Sequence, residues 1–389
     1  MARQYEKTHP WIRFSAQQEI LSSPGTVWYQ LGRITALCEN LSHTALRPEL
    51  AENLHWIYLA KGVHATTAIE GNTLTEDQVK EVMGGATLKP SKEYLAKEVR
   101  NVVEGVNEIG RELAAQHTPE TSPERLCHFN AMVQKDLDVG DHVVPGEYRM
   151  GSVGVGTYLA PPAEDVPYLV KEMFNWLNGP EFASPPQGQE LAIAILRAIL
   201  SHLYVAWIHP FGDGNGRTAR MLEFQILVSS GVPSPAAHLL SNHYNLTRDQ
   251  YYRELERSSS TPEGRIMPFV NYALQGFIDG LEEQLEALRD DLETLVWRGE
   301  VDRAYGYDCS KTDQRRKRLA CFLFEATAPM TASALMKSSP VGSWYADRTT
   351  KTLVRDLNDI AQYNLIRKTP AGWRAASEIV LGMRPESMF

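Results

Sequence analysis

The chain has 389 residues, 43% hydrophobic and 22% charged, enough for two or three domains with buried cores. That balance excludes a mainly disordered chain, a collagen-like repeat and a disulfide scaffold. A formal net charge of −9 argues against a surface that coats a polyanion along its whole length, because neutralising phosphates needs a basic face.

The four cysteines, Cys38, Cys127, Cys309 and Cys321, are too few and too scattered for a zinc site or a disulfide framework, so a reducing cytoplasmic setting is expected. MARQYEKTHPWIRFS has no apolar run after its charges, and no signal peptide is expected. In chain order the elements read mainly as helices. HTALRPELAENLHWIYLAKGVHATTAIEGN places Leu54, Ile57 and Tyr58 at helical spacing and stops at Gly71-Asn72, a helix C-terminal signal. Thr75 with Gln78 offers a capping box for a second helix, and a third is expected from Ser91 toward Ile109. From Pro145 the pattern changes, and PGEYRMGSVGVGTYLAPP alternates like a short exposed β-hairpin.

Helical periodicity resumes over Val166 to Leu177 and again from Glu190 to about Ile208. The second stretch is nearly long enough to span a membrane but carries Arg197 and His202 inside it, so it is read as the central core helix, with no membrane partner. A Gly-dense loop, HPFGDGNG, leads into a helix through Arg217 and Leu227 that stops before Gly231. Further helices are expected over Leu246 to Glu256 and Pro268 to Trp297, followed by a domain boundary around Arg298 to Thr312. Beyond it the charge reverses: residues 311–389 carry 13 Lys and Arg against 7 Asp and Glu, leaving about −15 for the rest. Helices at Arg315 to Glu325, Thr331 to Lys337 and Arg348 to Tyr363, then two short strands in IRKTPAGWRAA, read as a winged helix-turn-helix.

The chemistry concentrates in His209-Pro-Phe-Gly-Asp213-Gly-Asn215-Gly-Arg217-Thr-Ala-Arg220. A helix starting near Gly214 to Gly216 presents unpaired N–H groups and the positive end of its dipole, a seat for an anion. Arg217 and Arg220, three apart, place two guanidinium forks where successive phosphates can be held. Asp213 is an oxygen ligand suited to a Mg²⁺ shared with those phosphates, and His209 lies across the loop as a candidate general base. Taken singly, each piece has an ordinary structural reading; as a set they describe phosphoryl or nucleotidyl transfer.

HPFGDGNGRTAR matches the signature His-x-Phe-x-Asp/Glu-Gly-Asn-Gly-Arg-x-x-Arg and so resembles Fic-domain proteins, most of which transfer AMP from ATP to a hydroxyl of a target protein. The resemblance covers about residues 20 to 300. It implies a mainly α fold, a helical bundle with a short β-hairpin flap, and by position a helical N-terminal region over 1–115, a catalytic domain over 116–300 and the winged helix-turn-helix over 311–389. It implies that His209 deprotonates a Tyr, Ser or Thr hydroxyl of the target or of the protein itself and that Asp213 holds Mg²⁺. Gly214, Asn215 and Gly216 would surround the α- and β-phosphates, with Arg217 on the β-phosphate, Arg220 on the γ-phosphate and Phe211 as an anchor. Gly216, where the Doc kinases have lysine, favours AMP transfer over phosphate transfer.

Thr66-Thr-Ala-Ile-Glu70-Gly71-Asn72 resembles the inhibitory motif Ser/Thr-x-x-x-Glu-Gly/Asn of one class of the family. By that resemblance Glu70 pairs with Arg220 and leaves ATP unproductive, with Thr66 orienting Glu70 by a hydrogen bond; alone, the segment reads as a helix end with an exposed Glu. Gly151, Ser152, Val153, Gly154 and Val155 lie where the family carries a flap that pairs with the target's backbone. Leu246-Thr-Arg-Asp-Gln-Tyr251-Tyr252 resembles the helix lining the adenosine, which places Tyr251 or Tyr252 near the base. Removal of AMP by the same site, and a DNA-binding regulator with a nucleotide-sensing core, are the alternative functions. His202 and His209, seven apart with no carboxylate nearby in sequence, read as periodicity rather than a metal pair. Arg348, Thr349, Thr350, Lys351 and Arg355, with Arg367, Lys368 and Arg374 in the wing, could contact DNA, while protein interaction or a homodimer stays equally open for that tail.

Overall fold

Apolar residues at helical spacing organise most of the chain, and the computed structural model is correspondingly helical; it describes residues 3–16, 19–20, 25–44, 48–259 and 265–377. The chain divides into two compact units, Met1–Gln284 and Leu285–Phe389. In the first, α1 (Thr26–His43) and α2 (Pro48–Ala68) precede α3 (Glu76–Met83). The expected capping box opens α3: Thr75 accepts from the Gln78 N–H while the Gln78 side chain accepts from the Thr75 N–H. A 3₁₀ turn at Pro90–Lys92 leads into α4 (Glu93–Ala114), and Ser122 caps α5 (Pro123–Val133). Then comes the hairpin, smaller than its sequence suggests: β1 (Gly154–Val155) pairs antiparallel with β2 (Tyr158–Leu159).

Next are α6 (Val166–Leu177), α7 (Glu190–Ile208) and α8 (Asn215–Ser229). By length and composition α7 could cross a membrane, yet 78% of its most apolar window is buried within the protein. Ile195, Ile199, Leu200, Leu203 and Ile208 are fully buried there, and α7 packs along α8, α6 and α1. Each such side chain taken from water contributes about 1.5–3 kcal/mol, which makes α7 the axis around which the unit is assembled. The helix expected over Leu246 to Glu256 forms as α10 (Arg248–Ser259), and a helix that was not expected, α9 (Leu239–Leu246), precedes it. Thr247 divides them: its N–H and its hydroxyl both donate to the His243 carbonyl, a side-chain bond that competes with helix continuation.

α11 (Met267–Tyr305) outruns its expected end at Trp297 and stops at Gly306, whose φ is +77°. Its last turns stay helical because Trp297 and Val301, one turn apart, are buried in the core of the second unit. That unit holds α12 (Lys311–Glu325), α13 (Ala332–Lys337), α14 (Thr350–Gln362) and a hairpin of β3 (Ile366–Thr369) with β4 (Gly372–Ala375) in the register Ile366 to Ala375. Leu319, Leu335, Leu353 and Leu357 fill its centre, and Trp297 stacks on Phe324 with ring centroids 4.8 Å apart. Buried Asp356 accepts from Arg315 at 2.7 and 2.9 Å, from Arg316 at 3.1 Å and from the Tyr345 hydroxyl at 2.9 Å. Removing a buried carboxylate that pairs guanidinium groups costs about 3–5 kcal/mol. Asp356→Ala is therefore expected to unfold residues 285–389 ahead of the rest in a denaturant melt followed by hydrogen exchange; parental protection of Leu353 and Leu357 would contradict this.

Candidate active site

The site forms where α7 stops. His209 ends the helix at φ 48° and ψ 60°, a left-handed conformation that costs a non-glycine residue about 1–2 kcal/mol. The terminal carbonyls that such a helix end leaves unpaired are all taken. Ala206 accepts from the His209 ring, Trp207 from the Tyr158 hydroxyl at 2.6 Å, and Ile208 and His209 from the Arg149 guanidinium at 3.4 and 2.8 Å. The Pro210 carbonyl accepts from the Arg149 N–H at 3.0 Å. Burial, with the nearby Arg149 cation, lowers His209 to about 4, against the opposing influence of the Ala206 carbonyl, Glu70 and Asp213. The ring is therefore neutral at pH 7. With one N–H given to Ala206, the other nitrogen keeps its lone pair and can take a proton.

Side chains brace the loop that follows. Asn215 donates to the Phe211 carbonyl at 2.8 Å and accepts from the Phe211 N–H at 2.9 Å, while the buried Phe211 ring packs beside Tyr148 at 5.8 Å. Asn130 of α5 and Gln134 just past its end both donate to the Asp213 carbonyl, at 2.9 and 2.7 Å. Gly214 is required here twice: its φ is +76°, and a Cβ would lie 2.9 Å from Gln134 Nε2. This bracing fixes where α8 begins and so aims its first N–H groups, the positive end of its dipole, at the cavity.

The two arginines of α8 are buried, at 3% and 2% exposure, and each meets a carboxylate from another element, Glu98 on α4 and Glu70 in the turn that follows α2. Arg217 donates to Glu98 of α4 at 2.9 Å and lies 3.5 Å from Asp213; the other Glu98 oxygen accepts from Asn72 at 2.8 Å. Arg220 donates to Glu70 at 2.6 Å. Burial works against charge on Glu70, but Arg220, then Arg217, outweigh it and hold its carboxyl below the ordinary value. Burial raises Glu98, only partly offset by Arg217 and Asn72. Glu70 covers the start of α8 so closely that a Cβ on Gly216 would collide with its Oε1. Gly71, at φ +98°, turns the chain just after it. Thr66 departs from its expected role: its carbonyl accepts from Arg220 at 2.9 Å, so it orients the arginine by backbone rather than Glu70 by a hydroxyl bond.

A cavity of about 430 Å³ opens beside these groups. Glu70, His209, Asn215, Gly216, Val155 and the Tyr251-Tyr252 pair all line it, so the hairpin, both motifs and the post-motif helix converge. Gly154 and Val155 form β1, while Gly151, Ser152 and Val153 form the stem before it. Tyr251 is buried and its hydroxyl lies 2.9 Å from His202 Nε2; Tyr252 is 38% exposed at the rim. The sequence showed His202 no carboxylate, but α8 supplies one, with Glu223 at 3.2 Å from Nδ1. Sequence reasoning also missed Arg149, Glu98, Asn130 and Gln134. Only Glu98 left a signal, an acid within the apolar stripe of Leu95, Val99 and Val102.

Residues 120–227 match the family model described as the Fic/DOC family. Protein adenylyltransferase fic-1 of Caenorhabditis elegans is 28% identical over 264 residues, 67% of this chain and 47% of that protein. Protein adenylyltransferase Fic of Drosophila mojavensis is 28% identical over 214 residues, 54% of this chain and 38% of that protein. The chain thus spans about half, or less, of the length of the curated relatives it matches. A Fic family protein from Desulfovibrio desulfuricans G20 superimposes with a TM-score of 0.55 at 20% identity, covering 91% of this chain and 97% of the other. A fragment of Fic-1 from C. elegans, residues 134–508, gives 0.55 at 24% identity over 70% and 76% of the two chains. The braced loop and the two helices it joins therefore lie in a Fic domain, and the chain is built on the helical Fic fold.

Proposed function

We propose that this cavity takes ATP and transfers AMP to a protein hydroxyl, and that Glu70 holds the site in check. One observation carries the reading: the Glu70 carboxylate occupies the anion seat at the start of α8, on Arg220, in the same cavity as a neutral His209. A triphosphate seeking that seat meets a negative charge and an arginine already engaged. With Glu70 displaced, Arg220 would hold the γ-phosphate, Arg217 the β-phosphate, and the N–H groups of Asn215 and Gly216 the oxygens between them. Tyr251 and Tyr252 would flank the adenosine. His209 would take the proton of a target hydroxyl as its oxygen bonds the α-phosphorus, and pyrophosphate would leave.

Asp213 fits a Mg²⁺ role in part. Its side chain is 52% exposed, one oxygen accepting from the Gly214 N–H at 2.6 Å and the other 3.5 Å from Arg217. No group of three or more His, Cys, Asp or Glu among the described residues could hold a metal alone, so the ion would share Asp213 with phosphate oxygens, where it would shield their charge. The domain limits that go with this reading are an inhibitory helical region over 1–115, a catalytic domain from 116 that closes with the first compact unit at Gln284 rather than at the expected 300, and a winged helix-turn-helix over 311–389 within the second unit. Exposed Arg348, Lys351 and Arg355 at the start of α14 suit the last to a nucleic acid or an acidic protein.

Glu70→Gly is expected to label itself from α-labelled ATP at least about tenfold faster than the parent, and addition of His209→Ala to abolish the signal; silence of Glu70→Gly itself would sink the reading. Between pH 7.5 and 5.5 that labelling should fall less than about twofold, whereas a base at the ordinary value of 6.5 would lose about tenfold. The sign follows from the lowered His209 value, and removing Glu70, one of the groups that raises it, only extends the range. Glu70→Gln leaves Arg220 buried without its anion and should cost about 1–3 kcal/mol in a denaturant melt. Saturating ATP should stabilise that variant more than the parent, and equal stabilisation would show that Glu70 and nucleotide do not compete.

A further inference from the structure

Arg149 is 5% exposed and pairs with no carboxylate in the contacts it makes. Its guanidinium spreads over carbonyls from two loops: Nε donates to His209 at 2.8 Å, Nη1 to Gly151 at 2.8 Å, and Nη2 to Pro161 at 2.6 Å and Ile208 at 3.4 Å. Gly151 and Pro161 are the two stems of the hairpin, while Ile208 and His209 are the end of α7. Burying a cation without a counter-charge is costly, and burial does depress Arg149. The offset comes from the negative end of α7, against which it lies.

The hairpin it holds has one usable edge. Ala160 N–H donates to the Val153 carbonyl at 3.0 Å, which makes Val153 and Ala160 a hydrogen-bonded pair and leaves Gly154 and Leu159, directly opposite each other, as the non-bonded pair whose backbone groups face outward. On the β2 side the Leu159 carbonyl is taken by His9 at 2.8 Å. The Gly154 N–H and C=O are left for an incoming backbone, three residues from the carbonyl that Arg149 grips.

We propose that Arg149 is a positioning residue: together with the Tyr158 hydroxyl, which ties β2 to the Trp207 carbonyl, it fixes the docking edge of β1 at a set distance and angle from the base His209. It touches neither nucleotide nor target. A target strand laid on Gly154 would present its hydroxyl to His209 only while the stem at Gly151 and Pro161 and the carbonyl of His209 share one rigid group. Lysine cannot reproduce this, because a single ammonium lacks the planar fork that reaches both loops. The inference rests on the AMP-transfer reading and adds to it the part that aligns the acceptor.

The test uses the full chain carrying Glu70→Gly, with α-labelled ATP as the probe and self-labelling as the readout. Arg149→Lys and Arg149→Met are expected to bind ATP with a Kd and an apparent KM within about twofold of the Glu70→Gly parent. Their maximal rates should fall, about tenfold for the lysine and on the order of a hundredfold for the methionine, as expected when reacting groups lose alignment. Hydrogen exchange should quicken together over residues 151–161 and 208–211 and stay unchanged over 215–220. An undiminished maximal rate in Arg149→Met, or a loss of ATP binding in Arg149→Lys as large as its loss of rate, would overturn the proposal. If the Glu70→Gly parent itself does not label, the AMP-transfer reading fails instead, and exchange still decides whether Arg149 joins the two segments.

Discussion

Two buried helix ends are joined by a short loop, and the need to satisfy their backbone groups shapes the rest of the site. The end of α7 offers carbonyls and a partial negative charge; the start of α8 offers N–H groups and a partial positive charge. Neither can be left bare in the interior. The first is closed by donors, Arg149 and Tyr158 from the hairpin and the ring of His209 itself. The second is covered by an acceptor, the carboxylate of Glu70. The hairpin and the N-terminal helices therefore reach the same few ångströms for opposite electrostatic reasons.

Arg217 and Arg220 extend that logic. Unless backbone carbonyls at the negative end of a helix hold it, as they do Arg149, a buried guanidinium needs an anion, because an unpaired charge in the interior costs several kcal/mol. Arg217 has Glu98, which is itself buried and held by Asn72. Arg220 has Glu70, whose side chain is 31% exposed and lines the cavity. Of the two carboxylates, only the one at the cavity wall can be exchanged for a ligand without opening the core. In the proposed function, restraint and binding are then one physical requirement met by two alternative anions.

What the sequence disclosed follows the range over which each interaction acts. The capping box at Thr75, the left-handed turn at Gly71 and the start of α8 at Asn215 depend on neighbours within a few positions, and their residues announce them. The contacts of Arg149 and the pairing of Glu98 with Arg217 depend on segments brought together by the fold: nothing local distinguishes that arginine from a solvated one, and the apolar stripe around Glu98 signals its burial but not its partner. His202 shows the same limit from the other side: periodicity placed it on α7 correctly, but its partner Glu223 comes from α8. Thr247 and the extension of α11 past Trp297 were missed for a different reason, since a side-chain bond and a second core override local helical patterning there.

The net charge of −9 proves to be the wrong scale on which to judge an anion site. Exposed charges more than about 8–10 Å apart are screened by salt, so a sum over the whole chain says little about the field inside one cavity. Close to the seat the charges are Arg149, Arg217 and Arg220 against Glu70, Glu98 and Asp213, a near balance to which the start of α8 adds its positive end. Displacing Glu70 tips that balance by one positive charge on Arg220, at the position where the helix already points its N–H groups. In the proposed function an acidic protein holds a polyphosphate by exchanging one carboxylate for it, and its composition neither reveals nor forbids the site.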